Sequence, residues 1–202
     1  PKLLPAAEAF VPEAGSCPGC GQALAVRLIG KAIGHHRRFP YGGAVQNVPT
    51  SALPYSRWKV FPCNAVKAAQ TKSSPGKPVA VAGESGTFHD MLPLLQESVR
   101  RASKFFYICF FNEAGIERHD GASASGSSCP DPTKSYLTRL EHLHGVIDTV
   151  RSLRPEFMAT ASPGYPHDLI SKVQQGLACE GSAFLAVLVP CPTGCLYDRE
   201  RA

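Results

Sequence analysis

Three runs of unbroken apolar character limit what this chain can become: Pro78 to Ala82, Phe105 to Phe111 and Ala183 to Val189. Each is short, rich in β-branched or aromatic residues, and apolar at odd and even positions alike. A strand of that kind must be covered on both faces, which is the situation of a central strand in a parallel sheet. Glu156 to Thr160 reads as a fourth strand. The segments between them have helical spacing. Asp90 to Lys104 places Met91, Leu94, Leu95 and Val99 on one face, with Pro93 in the first turn, where proline is tolerated. Ser135 to Leu153 repeats apolar residues at a period of about 3.6. His167 to Cys179 carries Leu169, Ile170, Val173 and Leu177, with Asp168 in its first turn, where a negative charge suits the helix dipole. An earlier helix is predicted over Gln22 to Ile33. Strands alternating with helices predict an α/β fold with a mainly parallel sheet and helices on both faces.

The 202 residues are 44% hydrophobic and 18% charged, which fits one globular domain spanning 1–202. The 18 glycines and 18 prolines predict many shaped loops, chiefly His35 to Pro54 and Ala114 to Pro132. A short strand is expected over Arg57 to Phe61 and a short helix over Ala65 to Gln70. The longest apolar stretch, Ala183 to Val189, falls far short of the ~20 residues a membrane span needs. The net charge of +5 comes from scattered Lys and Arg, a solvated surface rather than a nucleic-acid footprint. No leader segment is read at the start of the chain, and a cytoplasmic setting is expected from the free thiols.

In parallel sheets ligands bind at the carboxyl ends of the strands. The unusual residues of this sequence fall there. Gly83-Glu84-Ser85-Gly86 follows one strand, Asn112-Glu113-Ala114-Gly115 the next, and Cys191-Pro192-Thr193-Gly194 the last. A glycine turn that opens a helix lets backbone amides approach a phosphate. Glu84 supplies an oxygen for a hard cation such as Mg²⁺, and the amide oxygen of Asn112 completes the same site. The plainer alternative is that Gly83 and Gly86 only turn the chain and Asn112 caps a loop.

The eight cysteines are unevenly spaced. Cys17-Pro-Gly-Cys20 sits on a turn just before a helix, and three chemistries fit it: a redox pair, half of a zinc site, or part of an iron–sulfur site. Cys191 and Cys195 form a second pair near the other end of the chain. Cys109 reads as a buried strand residue, and Cys63, Cys129 and Cys179 as ordinary free thiols.

These blocks, taken in order, resemble the thiamine-diphosphate-binding beta subunit of 2-oxoacid:ferredoxin oxidoreductases, the pyruvate synthase group. Cys17-Pro-Gly-Cys20-Gly21 is similar to the family's CxGCG. Gly83-Glu-Ser-Gly-Thr-Phe88 is similar to its GDGGTF, and Phe110-Phe-Asn-Glu-Ala114 to its YDNEA. Ala159-Thr-Ala-Ser-Pro-Gly-Tyr-Pro166 and Pro190-Cys-Pro-Thr-Gly194 match its ATASxxYP and PCPTG. Trp58-Lys-Val60 fits its WxV stretch. The resemblance covers residues 15 to 195. It implies a thiamin-diphosphate-binding fold, with Gly83, Glu84, Ser85, Gly86, Asn112 and Ala114 around the diphosphate. Mg²⁺ would be held by Glu84, Asn112 and the carbonyl of Ala114. Cys17, Cys20, Cys191 and one further cysteine would ligate a [4Fe–4S] cluster. It implies oxidative decarboxylation of a pyruvate-like 2-oxoacid to an acyl-CoA, with coenzyme A, ferredoxin, and alpha and other subunits as partners. No catalytic residue is assigned, because the carboxylate that activates the aminopyrimidine belongs to a different domain. His89, just after the glycine block, is expected to be structural.

The sequence also departs from the family. Glu84 stands for Asp, Ser85 for Gly, Phe111 for Asp and Cys195 for the final Trp. No cysteine lies near Gly43-Ala44, where the third cluster ligand is expected. Two other readings therefore stand beside the first. One is a degenerate, non-catalytic subunit or assembly module of the same fold. The other is a zinc protein using Cys17, Cys20, Cys191 and Cys195.

Overall fold

The computed structural model describes residues 4, 19–33, 77, 79–83, 87, 92–111 and 132–189. In chain order these form α1 (Gly21–Ile33), β1 (Val79–Gly83), α2 (Leu92–Arg100), β2 (Phe106–Phe111), α3 (Pro132–Ser152), β3 (Phe157–Ala161), α4 (Pro166–Ala178) and β4 (Ala183–Leu188). The elements expected over 57–61 and 65–70, and the loops expected over 35–54 and 114–131, lie outside the described residues.

Among the described residues the four strands form one parallel sheet in the order β1-β2-β4-β3. Gly83 pairs with Phe110, Phe106 with Ala183, and Phe157 with the same Ala183 from the other side. The continuous apolar runs take the two central positions. All six residues of β2 are buried, as are the first five of β4. The less apolar Phe157–Ala161 takes an edge and stays partly exposed. Burial of each large aliphatic or aromatic side chain in these strands contributes about 1.5–3 kcal/mol relative to exposure.

Both faces are covered, as the sequence predicted. On one face Phe106, Ile108, Phe110, Leu185 and Val187 pack with Leu28 and Ile29 of α1 and Leu169 and Val173 of α4. On the other, Tyr107, Cys109, Phe111 and Phe184 pack with Leu95 of α2 and Val146 and Val150 of α3. The change of face has a topological cause. α2 and α3 carry the chain in one direction across the sheet, and α4 carries it back from β3 to β4. Crossovers of one hand must change face when they reverse direction.

Local chemistry sets the helix ends. The helix expected to reach Lys104 stops at Arg100. Ala102 takes a left-handed conformation (φ 51°), its amide donates to the Val99 carbonyl, and the Ser103 amide donates to the Ser98 carbonyl. This double closure ends a helix by satisfying its last carbonyls. Helix α1 begins after Gly19, whose φ of 75° needs glycine, and the Cys20 carbonyl accepts the first helical bond from the Leu24 amide at 3.1 Å. Strand β2 begins at Phe106 rather than Phe105, although the Phe105 carbonyl still accepts from the Ala183 amide at 2.8 Å. Helix α4 lies so close to the sheet that a Cβ at Gly176 would stand 2.6–3.0 Å from three ring atoms of Phe106.

Candidate functional site

Because every pairing is parallel, Gly83, Phe111, Ala161 and Leu188 end their strands at one edge. The loops singled out in the sequence leave from this edge. Gly83 and Phe111 end adjacent strands, so the segments carrying Glu84 and Asn112 start side by side. Of the residues expected around a diphosphate, Gly83 is described and buried. Glu84, Ser85, Gly86, Asn112 and Ala114 lie outside the described residues, as does His89.

The approach to the glycine turn has a structure that the sequence reading missed. Thr87 is buried, and its Oγ1 donates to the Gly83 carbonyl at 2.8 Å. The same oxygen lies 2.9 Å from Tyr107 Oη and 3.1 Å from Cys109 Sγ. The signal was present in the sequence. Tyr107 is the one hydroxyl in the otherwise apolar run Phe105 to Phe111, and Thr87 follows Gly83 by one helical turn. A buried tyrosine hydroxyl requires a partner, and Thr87 supplies it.

On the far side of the same edge, Ser162–Pro166 makes the turn expected from its sequence. The Tyr165 amide donates to the Ser162 carbonyl at 3.1 Å, and Pro166 opens α4. Tyr165 and Leu188 are exposed here. They give this edge an apolar, aromatic rim of the kind that lines ligand sites.

Of the cysteines expected to bind a cluster, Cys20 is described. It is half-buried at the start of α1, beside the helix amides that have no partner within the helix. Cys17, Cys191 and Cys195 lie outside the described residues, as do Cys63 and Cys129. The two other described thiols are engaged elsewhere. Cys109 faces Thr87 inside the second core. Cys179 ends α4 and accepts from Lys77 Nζ at 2.8 Å, at the amino edge of the sheet. Cys179 is a free thiol, as expected, and it shares the Lys77 ammonium with two backbone carbonyls. Among the described residues no group of three or more His, Cys, Asp or Glu side chains converges on a point.

The perturbed carboxylates sit away from this edge. Glu97 near the end of α2 is held down to about 2 by hydrogen bonds from Arg100 and Arg101. Glu180 lies below the usual carboxylate range because Lys104 bonds it at 2.7 Å. Both belong to the amino side, where α2 and α4 end.

Comparison with known proteins shows what the chain resembles. The chain is 28% identical to the pyruvate synthase subunit PorB of Methanocaldococcus jannaschii over 232 aligned positions, covering 98% of this chain and 75% of that one. The chain is thus similar to a PorB subunit along nearly its whole length. Identity to PorB of Pyrococcus horikoshii is also 28%, over 93% of this chain and 65% of that protein, so the chain spans just under two thirds of that relative. The chain is equally similar, at 28% over 95% of this chain and 69% of that one, to the ketoisovalerate oxidoreductase subunit VorB of Pyrococcus horikoshii. The relatives are subunits of oxidoreductases, and the resemblance read from the motifs holds along the chain. No family model matches it. Among solved structures it superposes on a 2-oxoglutarate:ferredoxin oxidoreductase from Magnetococcus marinus with a TM-score of 0.55 at 16% identity, over 91% of this chain and 67% of that one. That likeness confirms the fold of the chain. No helix among the described residues is long and apolar enough to cross a membrane.

Proposed function

We propose that this chain is the thiamine-diphosphate-binding subunit of a 2-oxoacid:ferredoxin oxidoreductase. The observation that carries the proposal is the buried Gly83 at the carboxyl end of β1, beside the end of β2, with its carbonyl tied down by Thr87. Such a turn admits a diphosphate closely, because glycine offers no side chain to obstruct it. Similarity to PorB along nearly the whole chain supports the same reading.

The residues present fit a diphosphate bound through Mg²⁺. Glu84, the amide oxygen of Asn112 and the carbonyl of Ala114 are hard oxygen donors suited to that ion. Gly83, with Ser85 and Gly86 following it in the sequence, would offer backbone amides to the phosphate oxygens. When bound, thiamine diphosphate supplies the nucleophilic carbon and the electron sink for decarboxylating a 2-oxoacid. This chain's own part is to hold the diphosphate end, to orient it against the sheet, and to keep water from the strand ends by packing Phe110 and Phe111 beneath it. Coenzyme A, ferredoxin and the alpha and other subunits complete the reaction as partners.

Cys17, Cys20 and Cys191 give three thiolate ligands toward a [4Fe–4S] cluster. Neither Cys109 nor Cys179 supplies the fourth, since one is committed to Thr87 and the other lies at the opposite edge. Calorimetry of anaerobically purified protein, assembled with its partner subunits, tests the proposal. Thiamine diphosphate should bind in the presence of Mg²⁺ and much more weakly without it. Binding indifferent to Mg²⁺, or absent in the folded assembly, would overturn the proposal. Metal analysis of the same sample separates iron from zinc.

A further inference from the structure

The proton count at Thr87 is closed. A carbonyl oxygen can only accept, so the single hydroxyl proton of Thr87 goes to Gly83. Two lone pairs remain on Oγ1, and the two remaining neighbours, Tyr107 Oη and Cys109 Sγ, each carry a proton to donate. One bond given and two received is the full capacity of a hydroxyl. Thr87 is 1% exposed, so it has neither a proton nor a lone pair nor an open face for a ligand.

The far ends of these bonds are rigid. Tyr107 and Cys109 are alternate residues of β2 and point to the same face of the sheet, both wholly buried. The Tyr107 ring stacks on Phe184, its register partner on β4, with centroids 5.9 Å apart and planes 11° from parallel. The Gly83 carbonyl is thus tied through one hydroxyl to β2 and through the ring stack to β4. The Gly83–Thr87 bond also fastens both ends of the segment that carries Glu84, Ser85 and Gly86.

We propose that Thr87 is the positioning residue of the glycine turn, fixing it on the sheet before a diphosphate arrives and so setting cofactor affinity without touching the cofactor. This role rests on the functional reading above and deepens it. The nearly isosteric Thr87→Val removes the hydroxyl and with it the bond to the Gly83 carbonyl. Thr87→Ser keeps the hydroxyl.

The test is a titration of activity against thiamine diphosphate at fixed Mg²⁺ in the assembled enzyme, with amide hydrogen exchange on the cofactor-free protein. Thr87→Val should raise the half-saturating cofactor concentration by about tenfold, the effect of losing a buried hydrogen bond to the Gly83 carbonyl. The loss should fall on that concentration rather than on turnover at saturation. Thr87→Ser should stay within about threefold of the parent, and Tyr107→Phe should lie between the two. In exchange, Thr87→Val should lose protection at positions 83 and 87 while β4 keeps it. If Ser is as damaged as Val, or Val binds like the parent, the role is overturned. Should the parent itself bind no cofactor, the functional reading fails and exchange alone judges Thr87: unchanged protection at positions 83 and 87 in Thr87→Val then overturns the positioning role. Should the valine variant not fold, the serine and Tyr107→Phe variants carry the same comparison.

Discussion

Lys77 Nζ lies 2.8 Å from the Sγ of Cys179, and the same ammonium donates to the carbonyls of Cys179 at 2.9 Å and Gly176 at 2.8 Å. One side chain at the foot of β1 thereby closes the carboxyl end of α4, where carbonyls lack helical partners and the dipole favours a cation. Lys77→Met keeps the stem and removes all three donors. It should destabilise the chain by about 1–2 kcal/mol. The check is the urea midpoint at unchanged slope; a midpoint equal to the parent's would show that water serves those carbonyls equally well.

The contact between α4 and the sheet gives a second prediction. Gly176→Ala adds a methyl against a Phe106 ring that is fully buried and cannot retreat. Alanine favours a helix over glycine by about 1 kcal/mol, but overpacking of this kind costs about 1–3 kcal/mol. The variant should be less stable by thermal or urea unfolding. Combining it with Phe106→Leu should recover part of the loss, and the double-mutant cycle measures the coupling. Strict additivity of the two changes would refute the clash.

Much of this architecture was legible in the sequence because its signals are periodic. β2 and β4 were apolar at every position, and only a doubly covered strand accommodates that. The helices followed from apolar spacing, with the end of α2 misplaced because nothing in the sequence marks Ala102 as left-handed. The site was legible only in part. Gly83 and the shared edge followed from strand direction. Thr87 escaped because its partners are remote in sequence, Tyr107 and Cys109 being brought to it by the β1–β2 pairing. Lys77 and Cys179 escaped for the same reason, lying at opposite ends of the described α/β unit.

The left-handed helix ends provide a third prediction. Ala102 (φ 51°) and Arg154 (φ 53°) follow α2 and α3 in a conformation that crowds a Cβ. Ala102→Gly and Arg154→Gly should each stabilise by about 0.5–1 kcal/mol, the relief being offset in part by a freer unfolded chain. The melting temperature of each variant decides it, and a fall in either would mean that the β-carbon packs usefully there.

The cation site yields a fourth. Asn112→Ala should weaken Mg²⁺-dependent thiamine diphosphate binding by about tenfold, the consequence of removing one hard oxygen ligand. Calorimetry at several Mg²⁺ concentrations makes the measurement, and equal affinity in variant and parent would count against Asn112 as a ligand.

The last prediction concerns acid. Glu97 accepts hydrogen bonds from Arg100 at 2.8 and 2.9 Å and from Arg101 at 2.5 Å, and these hold its carboxyl at about 2 rather than 4.5. A carboxylate lowered in the folded state stabilises that state above its unfolded value, and the contribution disappears as pH falls through the folded value. The window therefore runs from about 4.5 down to about 2. Carboxyl NMR should show Glu97 titrating near the lower figure. Raising the salt should move it upward, since the three side chains reach solvent and their attraction is screened. Glu97→Gln should flatten stability against pH across this window, being slightly less stable than the parent near neutrality, by the little an exposed pair contributes, and converging with it as the pH falls toward the lower figure. A Glu97 midpoint at the ordinary carboxylate value would mean that the arginines are bound to water rather than to Glu97 in solution.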